Sequence, residues 1–77
     1  MGWKAYKTHG SHYSQRGLPD VFCLKNGVTA WMEVKRPGND PTKIQVHNLK
    51  TLAGMNFPVE VVYSAADARR FLEGIPT

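Results

Sequence analysis

Two apolar runs, Val21-Phe22-Cys23-Leu24 and Val28 to Val34, flank the pair Asn26-Gly27. Asn-Gly between apolar runs predicts a tight β-hairpin, because both turn positions need positive φ. The second run alternates, so Val28, Ala30, Met32 and Val34 are expected on one face and Thr29, Trp31, Glu33 and Lys35 on the other. Pro37-Gly38 closes that strand, since proline cannot continue a central ladder. Upstream, residues 3–7 alternate apolar and basic and predict a short first strand. Residues 8–16 are polar and read as an exposed loop. Downstream, Asp40 as N-cap and Pro41 at the first helical position predict a helix from Pro41 to about Gly54, with Val46, Leu49, Leu52 and Ala53 as its apolar stripe. Residues 59–63 form a β-branched strand. Ser64 to Asp67 resembles a capping box, with aspartate in place of glutamate, and opens a helix from Ala65 to Glu73 that ends at Gly74. The predicted order is β-β-β-α-β-α in a single α/β domain over residues 1–77. The hairpin is antiparallel and the helical crossover favours a parallel return strand, giving a mixed four-stranded sheet with flanking helices.

Composition narrows the setting. Seventy-seven residues lie near the lower limit for a self-sufficient core. No stretch approaches the ~18 apolar residues of a membrane span, and the N-terminus lacks the apolar region of a secretory signal. The single cysteine, Cys23, cannot form an internal disulfide and reads as a small buried hydrophobe. A cytoplasmic location is the default expectation. Net charge is +4 and the sequence pI about 9.5, which favours a polyanionic partner. Lys4, Lys7, Arg16, Lys35, Arg36, Lys43 and Lys50 lie before, within or just after the hairpin, and His9 and His12 add donors nearby. The loop just ahead of Asp20 is therefore placed to hold a phosphate backbone, with Lys7, His9, His12, Arg16, Arg36 and Lys43 as candidate contacts. A solvated connector is the bland alternative for this loop. His9 and His12 lack a third ligand and do not make a metal pair.

The chemistry lies in the hairpin. Asp20 opens one strand, and folding brings its carboxylate towards Glu33, while Lys35 is a same-face neighbour of Glu33 about 6–7 Å along the strand. Hydrolysing a phosphodiester requires activating water and neutralising charge on the phosphoryl oxygens. Hard cations such as Mg²⁺ do both and prefer carboxylate, carbonyl and water oxygens. Asp20 and Glu33 supply two carboxylates, and the Val34 carbonyl is a candidate third oxygen. Two adjacent acids repel without a cation, and Lys35 is placed to orient water or stabilise the transition state. An acid-x-lysine tripeptide on a strand is also an ordinary surface charge pair. Gln45 falls within the inward stripe of the first helix and needs a partner: either loop backbone or the carboxylate site.

Gly17-Leu18-Pro19-Asp20, the apolar strand after it, Trp31-Met32-Glu33-Val34-Lys35, Gln45 and Gly54 together resemble the virus-type replication-repair nuclease (VRR-NUC) branch of the PD-(D/E)XK nucleases, over roughly residues 3–73. The resemblance implies a restriction-endonuclease-like fold, metal binding by Asp20 and Glu33, a catalytic role for Lys35 and a supporting one for Gln45. It also implies Mg²⁺ or Mn²⁺ as cofactor, no small-molecule cofactor, and cleavage of branched or flapped DNA in a bacterial or phage-infected cell. Family members usually begin with a helix carrying a further glutamate, whereas this chain starts almost at the first strand. One sheet face is then expected to be poorly covered, with Trp3, Tyr6, Tyr13 and Trp31 as candidate exposed apolar surface and a homodimer as the expected remedy. Two other functions remain open: a catalytically weak nucleic-acid-binding module on the same fold, and a protein-interaction or assembly factor.

Overall fold

The hairpin forms as its sequence predicts. Strands β2 (Val21–Lys25) and β3 (Val28–Val34) pair antiparallel from Lys25↔Val28 to Val21↔Met32. Asn26 and Gly27 take the two turn positions with φ of 48° and 79°, the left-handed conformations that a two-residue hairpin turn needs. The computed structural model describes residues 2–8 and 17–77; the loop bearing His9, His12, Tyr13 and Arg16 lies outside the described residues. Strand β1 (Lys4–Lys7) adds antiparallel to β2, and after the helix α1 (Lys43–Gly54) the strand β4 (Val59–Val62) returns parallel to β3. The helix α2 (Ala65–Glu73) ends the chain's regular structure. The outcome is an α/β fold with a mixed four-stranded sheet in the order β1-β2-β3-β4. Among the described residues, no helix is long and apolar enough to cross a membrane.

The two sheet faces are treated differently. One carries Cys23, Ala30, Met32 and Val62, which with Leu72 of α2 form the buried core, and Trp3, Val21, Ala68, Phe71 and Ile75 pack against it. Trp3 is thus half-buried core rather than exposed surface, with the Lys25 ammonium 6.0 Å from its ring centroid. Val34 shares the face of Ala30 and Met32 as the alternation predicts and pairs with the core residue Val62, yet it is 49% exposed. It lies beyond Met32, the last β3 residue paired with β2, so a paired strand flanks it on the β4 side alone. The opposite face carries Tyr6, Phe22, Leu24, Trp31 and Glu33 by strand alternation. Helix α1 packs on β4 and reaches Glu33 through Gln45, while Tyr6 and Leu24, on β1 and β2, remain 44% and 39% exposed.

Helix α1 starts two residues later than the sequence suggested, and its N-cap is Thr42, not Asp40. The Gln45 N–H donates to Thr42 Oγ1 (3.3 Å), and the Thr42 N–H donates to Gln45 Oε1 (2.8 Å). This reciprocal capping box satisfies two backbone donors, whereas Pro41 has no N–H to satisfy. At α2, Ser64 caps as expected by accepting from the Asp67 N–H. The Asp67 carboxylate reaches one residue further back than a capping box would take it and accepts from the Tyr63 N–H.

Gly17 fixes how the segment ahead of β2 meets α1. Its φ is +78°, and a Cβ there would sit 2.7 Å from the Asn48 amide nitrogen and 2.9 Å from Ile44. Both facts require glycine: the backbone is left-handed and the helix surface is within touching distance. Gly17→Ala should lower stability by about 2–4 kcal/mol, combining left-handed strain with overpacking. Urea unfolding of the two proteins measures the difference; a loss under 0.5 kcal/mol, on the order of an ordinary surface change, would refute this contact.

Candidate active site

Continuing the β2–β3 register one step beyond Val21↔Met32 sets Asp20 beside Glu33. Asp20 and the residue before it are held by three hydrogen bonds. Its Oδ2 accepts from the Val34 N–H at 3.0 Å. Its carbonyl accepts from the Thr8 N–H at 2.9 Å, and the Thr8 hydroxyl donates to the carbonyl of Pro19. Pro19 is itself among the most deeply buried side chains. The backbone that carries the carboxylate is therefore clamped between β1 and the end of β3.

Glu33 is 1% exposed and is the buried charged residue among the described ones. That burial separates it from a surface charge pair, which would leave both side chains solvated. Its Oε2 accepts from Gln45 Nε2 at 2.9 Å and lies 3.4 Å from Lys35 Nζ. Gln45 resolves the two alternatives for its partner by taking both: its oxygen caps the helix and its amide nitrogen holds Glu33. The other carboxylate oxygen, Oε1, is buried and has no hydrogen-bond partner. Burial first, and the neighbouring Asp20 charge second, push the Glu33 carboxyl above the usual carboxylate range, against the opposing pull of Lys35. When Glu33 is protonated its O–H can be shared with Asp20; when both are ionised, two sets of lone pairs face each other.

The donor set fits a hard divalent cation. Two carboxylates converge, one of them buried with an unpartnered oxygen, and Mg²⁺ or Mn²⁺ takes oxygen ligands of this kind. Among the described residues no group of three His, Cys, Asp or Glu side chains assembles. Asp20 and Glu33 would therefore be completed by the Val34 carbonyl and by water, and water is a common companion of Mg²⁺.

Of the predicted site residues, the structure brings Asp20, Glu33, Lys35 and Gln45 together. Lys7 joins them at the rim: with Asp20, Val21 and Val34 it lines an open groove of about 320 Å³. Arg36 is exposed just after Lys35, and Lys43 is the exposed first residue of α1. His9, His12 and Arg16 lie outside the described residues. A larger groove of about 380 Å³ between β4 and α2 is lined by Glu60, Val61, Asp67, Arg70 and Phe71, where Asp67 and Arg70 already pair with each other. Two contributors escaped sequence reasoning. Thr42 was legible as the start of a Thr-x-x-Gln capping box, but Asp40-Pro41 competed with it. Thr8 carried no local signal, because only the β1–β2 register brings it to Pro19 and Asp20.

A raised Glu33 pKa has a definite consequence for stability. The protonated form favours folding below the unfolded glutamate pKa of about 4.3, and that contribution is lost as pH rises through the higher folded value. In metal-free protein, Glu33→Gln should therefore gain thermal stability relative to wild type as pH rises from about 4 to 8. Mg²⁺ or Mn²⁺ should narrow the gap at pH 8 by stabilising wild type alone. Differential scanning calorimetry across this range, with and without metal, tests both statements; a gap independent of pH would refute them.

No family model, curated protein or solved structure matches the chain, so its function rests on this geometry.

Proposed function

We propose that the chain is a metal-dependent DNA endonuclease of the PD-(D/E)XK kind, similar to the VRR-NUC branch, which hydrolyses phosphodiester bonds in branched DNA during replication, repair or recombination. The observation that carries this reading is the buried Glu33 carboxylate, with one oxygen unpartnered beside Asp20 and the other held by Gln45 and Lys35. A buried carboxylate facing another is costly and is expected to have a cationic partner. A Mg²⁺ or Mn²⁺ ion bound there would polarise the phosphoryl group and acidify water.

The chain's own residues do the rest. The Val34 N–H fixes the Asp20 carboxylate, and Gln45 fixes the orientation of Glu33, so both are preorganised. Lys35 has three donors, of which one is directed at Glu33; the others can orient the attacking water or meet charge on the phosphoryl oxygens. The water oxygen forms the new P–O bond, one ester P–O bond breaks, and the leaving oxygen takes up a proton. Lys7 in the groove beside Asp20, the exposed Arg36 after Lys35 and the exposed Lys43 at the start of α1 supply positive charge for the flanking phosphates. A nucleic-acid-binding module is the second reading. It is favoured by one observation: among the described residues, no third acidic, histidine or cysteine ligand joins the two carboxylates.

A cleavage assay on four-way junction, 5′-flap, single-stranded and plain duplex DNA, in Mg²⁺, Mn²⁺ or EDTA, separates the two. Metal-dependent cutting should vanish in Glu33→Ala, with DNA binding retained or strengthened because a negative charge is removed. Cutting retained in that variant would refute the metal-site assignment, and no cutting by a folded, DNA-binding wild type would leave the binding module. Lys35→Ala should lower the cleavage rate at least about a hundredfold with a much smaller change in affinity. Equal losses in both would make Lys35 a phosphate clamp.

A further inference from the structure

We infer that the exposed face of β1 and β2 is a stacking platform for an unpaired base of single-stranded DNA passing through the site. The proposal deepens the nuclease reading and rests on it for the position of the cut, though not for the binding itself.

The sheet register lays out two neighbouring rows of side chains on one face. Tyr6↔Phe22 and Phe22↔Trp31 are cross-strand partners. Their rings touch in sequence: Tyr6 and Phe22 stack with centroids 5.3 Å apart and planes at 22°, and Phe22 and Trp31 follow at 5.5 Å and 41°. The next row on the same face is Thr8, Asp20 and Glu33, two residues along each strand, or about 7 Å away. The aromatic row thus runs parallel to the carboxylate row, one pleat from it. Tyr6 heads the ladder. One side of its ring stacks on Phe22, the side chain is 44% exposed, and among the described residues no other ring covers it.

Charge identifies the occupant. Lys4 shares this face by alternation and is exposed on β1; the exposed Lys7 alternates to the other face of this edge strand, where it lines the groove with Asp20, Val21 and Val34. An exposed aromatic ring with one lysine on its own face and a second at the edge of the same strand, set one nucleotide's reach from a phosphate-handling site, is the combination that binds single strands: phosphates meet lysines and bases meet rings. A base paired inside a duplex has both faces covered by its neighbours and cannot use Tyr6. The platform therefore selects unpaired strands, such as a flap or the open arm of a junction, over continuous duplex.

The test is fluorescence anisotropy of the full chain with labelled single-stranded, 5′-flap and blunt duplex DNA, in EDTA so that nothing is cut. Tyr6→Ala should weaken single-strand and flap binding about fivefold to a hundredfold and leave blunt duplex binding within about twofold, whereas Tyr6→Phe should bind like wild type. In wild type, where folding is not in question, a single strand carrying 4-thiothymidine should crosslink under ultraviolet light to the peptide bearing Tyr6. An equal loss on all three DNAs, no loss, or crosslinks confined to other peptides would overturn the proposal. So would a wild-type dimer that Tyr6→Ala converts to monomer in light scattering, since the row would then be an interface with a second copy. The same Tyr6 effect in a Glu33→Ala background would show that the platform stands even if the nuclease reading fails.

Discussion

The buried carboxylate of Glu33 is the constraint on which the rest of this structure depends. An ionised carboxylate withdrawn from water costs several kcal/mol unless partners replace its hydration. Here Gln45 and Lys35 satisfy one oxygen and leave the other without a donor. Gln45 cannot be released independently, because the same amide closes the N-terminal turn of α1. The acid, the start of the helix and the docking of that helix on the sheet are consequently one mechanical unit. The Asp20 side is built similarly: Thr8 and Val34 grip the backbone and the carboxylate from two strands, and the Gly17 contact presses the same segment onto α1.

Such a site is hard to explain as a device for stability. The described buried hydrophobic residues number six, Cys23, Ala30, Met32, Leu49, Val62 and Leu72, and a domain of this size has a small margin to spend. Replacing a buried ionic group by well-packed apolar residues is often neutral or stabilising. A chain with so small a core that nevertheless buries a glutamate beside an aspartate carries a cost that, under the proposed function, a bound cation would offset. The distribution of charge agrees. Eight of the ten Lys and Arg residues precede residue 51, against three of the six acids, so the net positive charge lies in the first two thirds of the chain, which build the site.

Much of this was legible in the sequence because the signals are local. Asn26-Gly27 specified the hairpin, alternation specified the faces, and Ser64 and Gly74 bracketed α2 to the residue. Asp20, Glu33, Lys35 and Gln45 were recognisable from residue types on predicted elements, and the fold brings all four together. What escaped depended on competition or on register. Asp40-Pro41 is a good helix start judged alone, but Thr42 wins because its partner Gln45 satisfies a second donor and is anchored to Glu33. Val34 keeps the face that alternation gives it, yet it lies past the end of the β2 pairing, so it stays exposed although its β4 partner Val62 is in the core. Trp3 looked like uncovered surface because only the tertiary fold shows that it packs on the core. Thr8 and the aromatic row are products of the β1–β2 register, which no stretch of sequence states by itself.

The asymmetry of the two faces follows from where the helices can lie. Connecting β3 to the parallel β4 requires a crossover, and α1 provides it over the β4 side of one face. The return through α2 places its apolar residues on the opposite face, where Leu72 completes the core. With Trp3 and Ile75 added there, that face is closed. The first face is left half covered: Glu33 lies beneath α1, whereas Tyr6 and Leu24, on the strands furthest from β4, stay open. The carboxylates therefore sit at the boundary between a roofed and an open half of the same surface. A long polyanion can approach across the open half without displacing α1, and the roofed half keeps Glu33 dry enough for its charge to matter. A second helix over the open half would hide Tyr6 and Leu24, but it would also close the approach to the acids from that side.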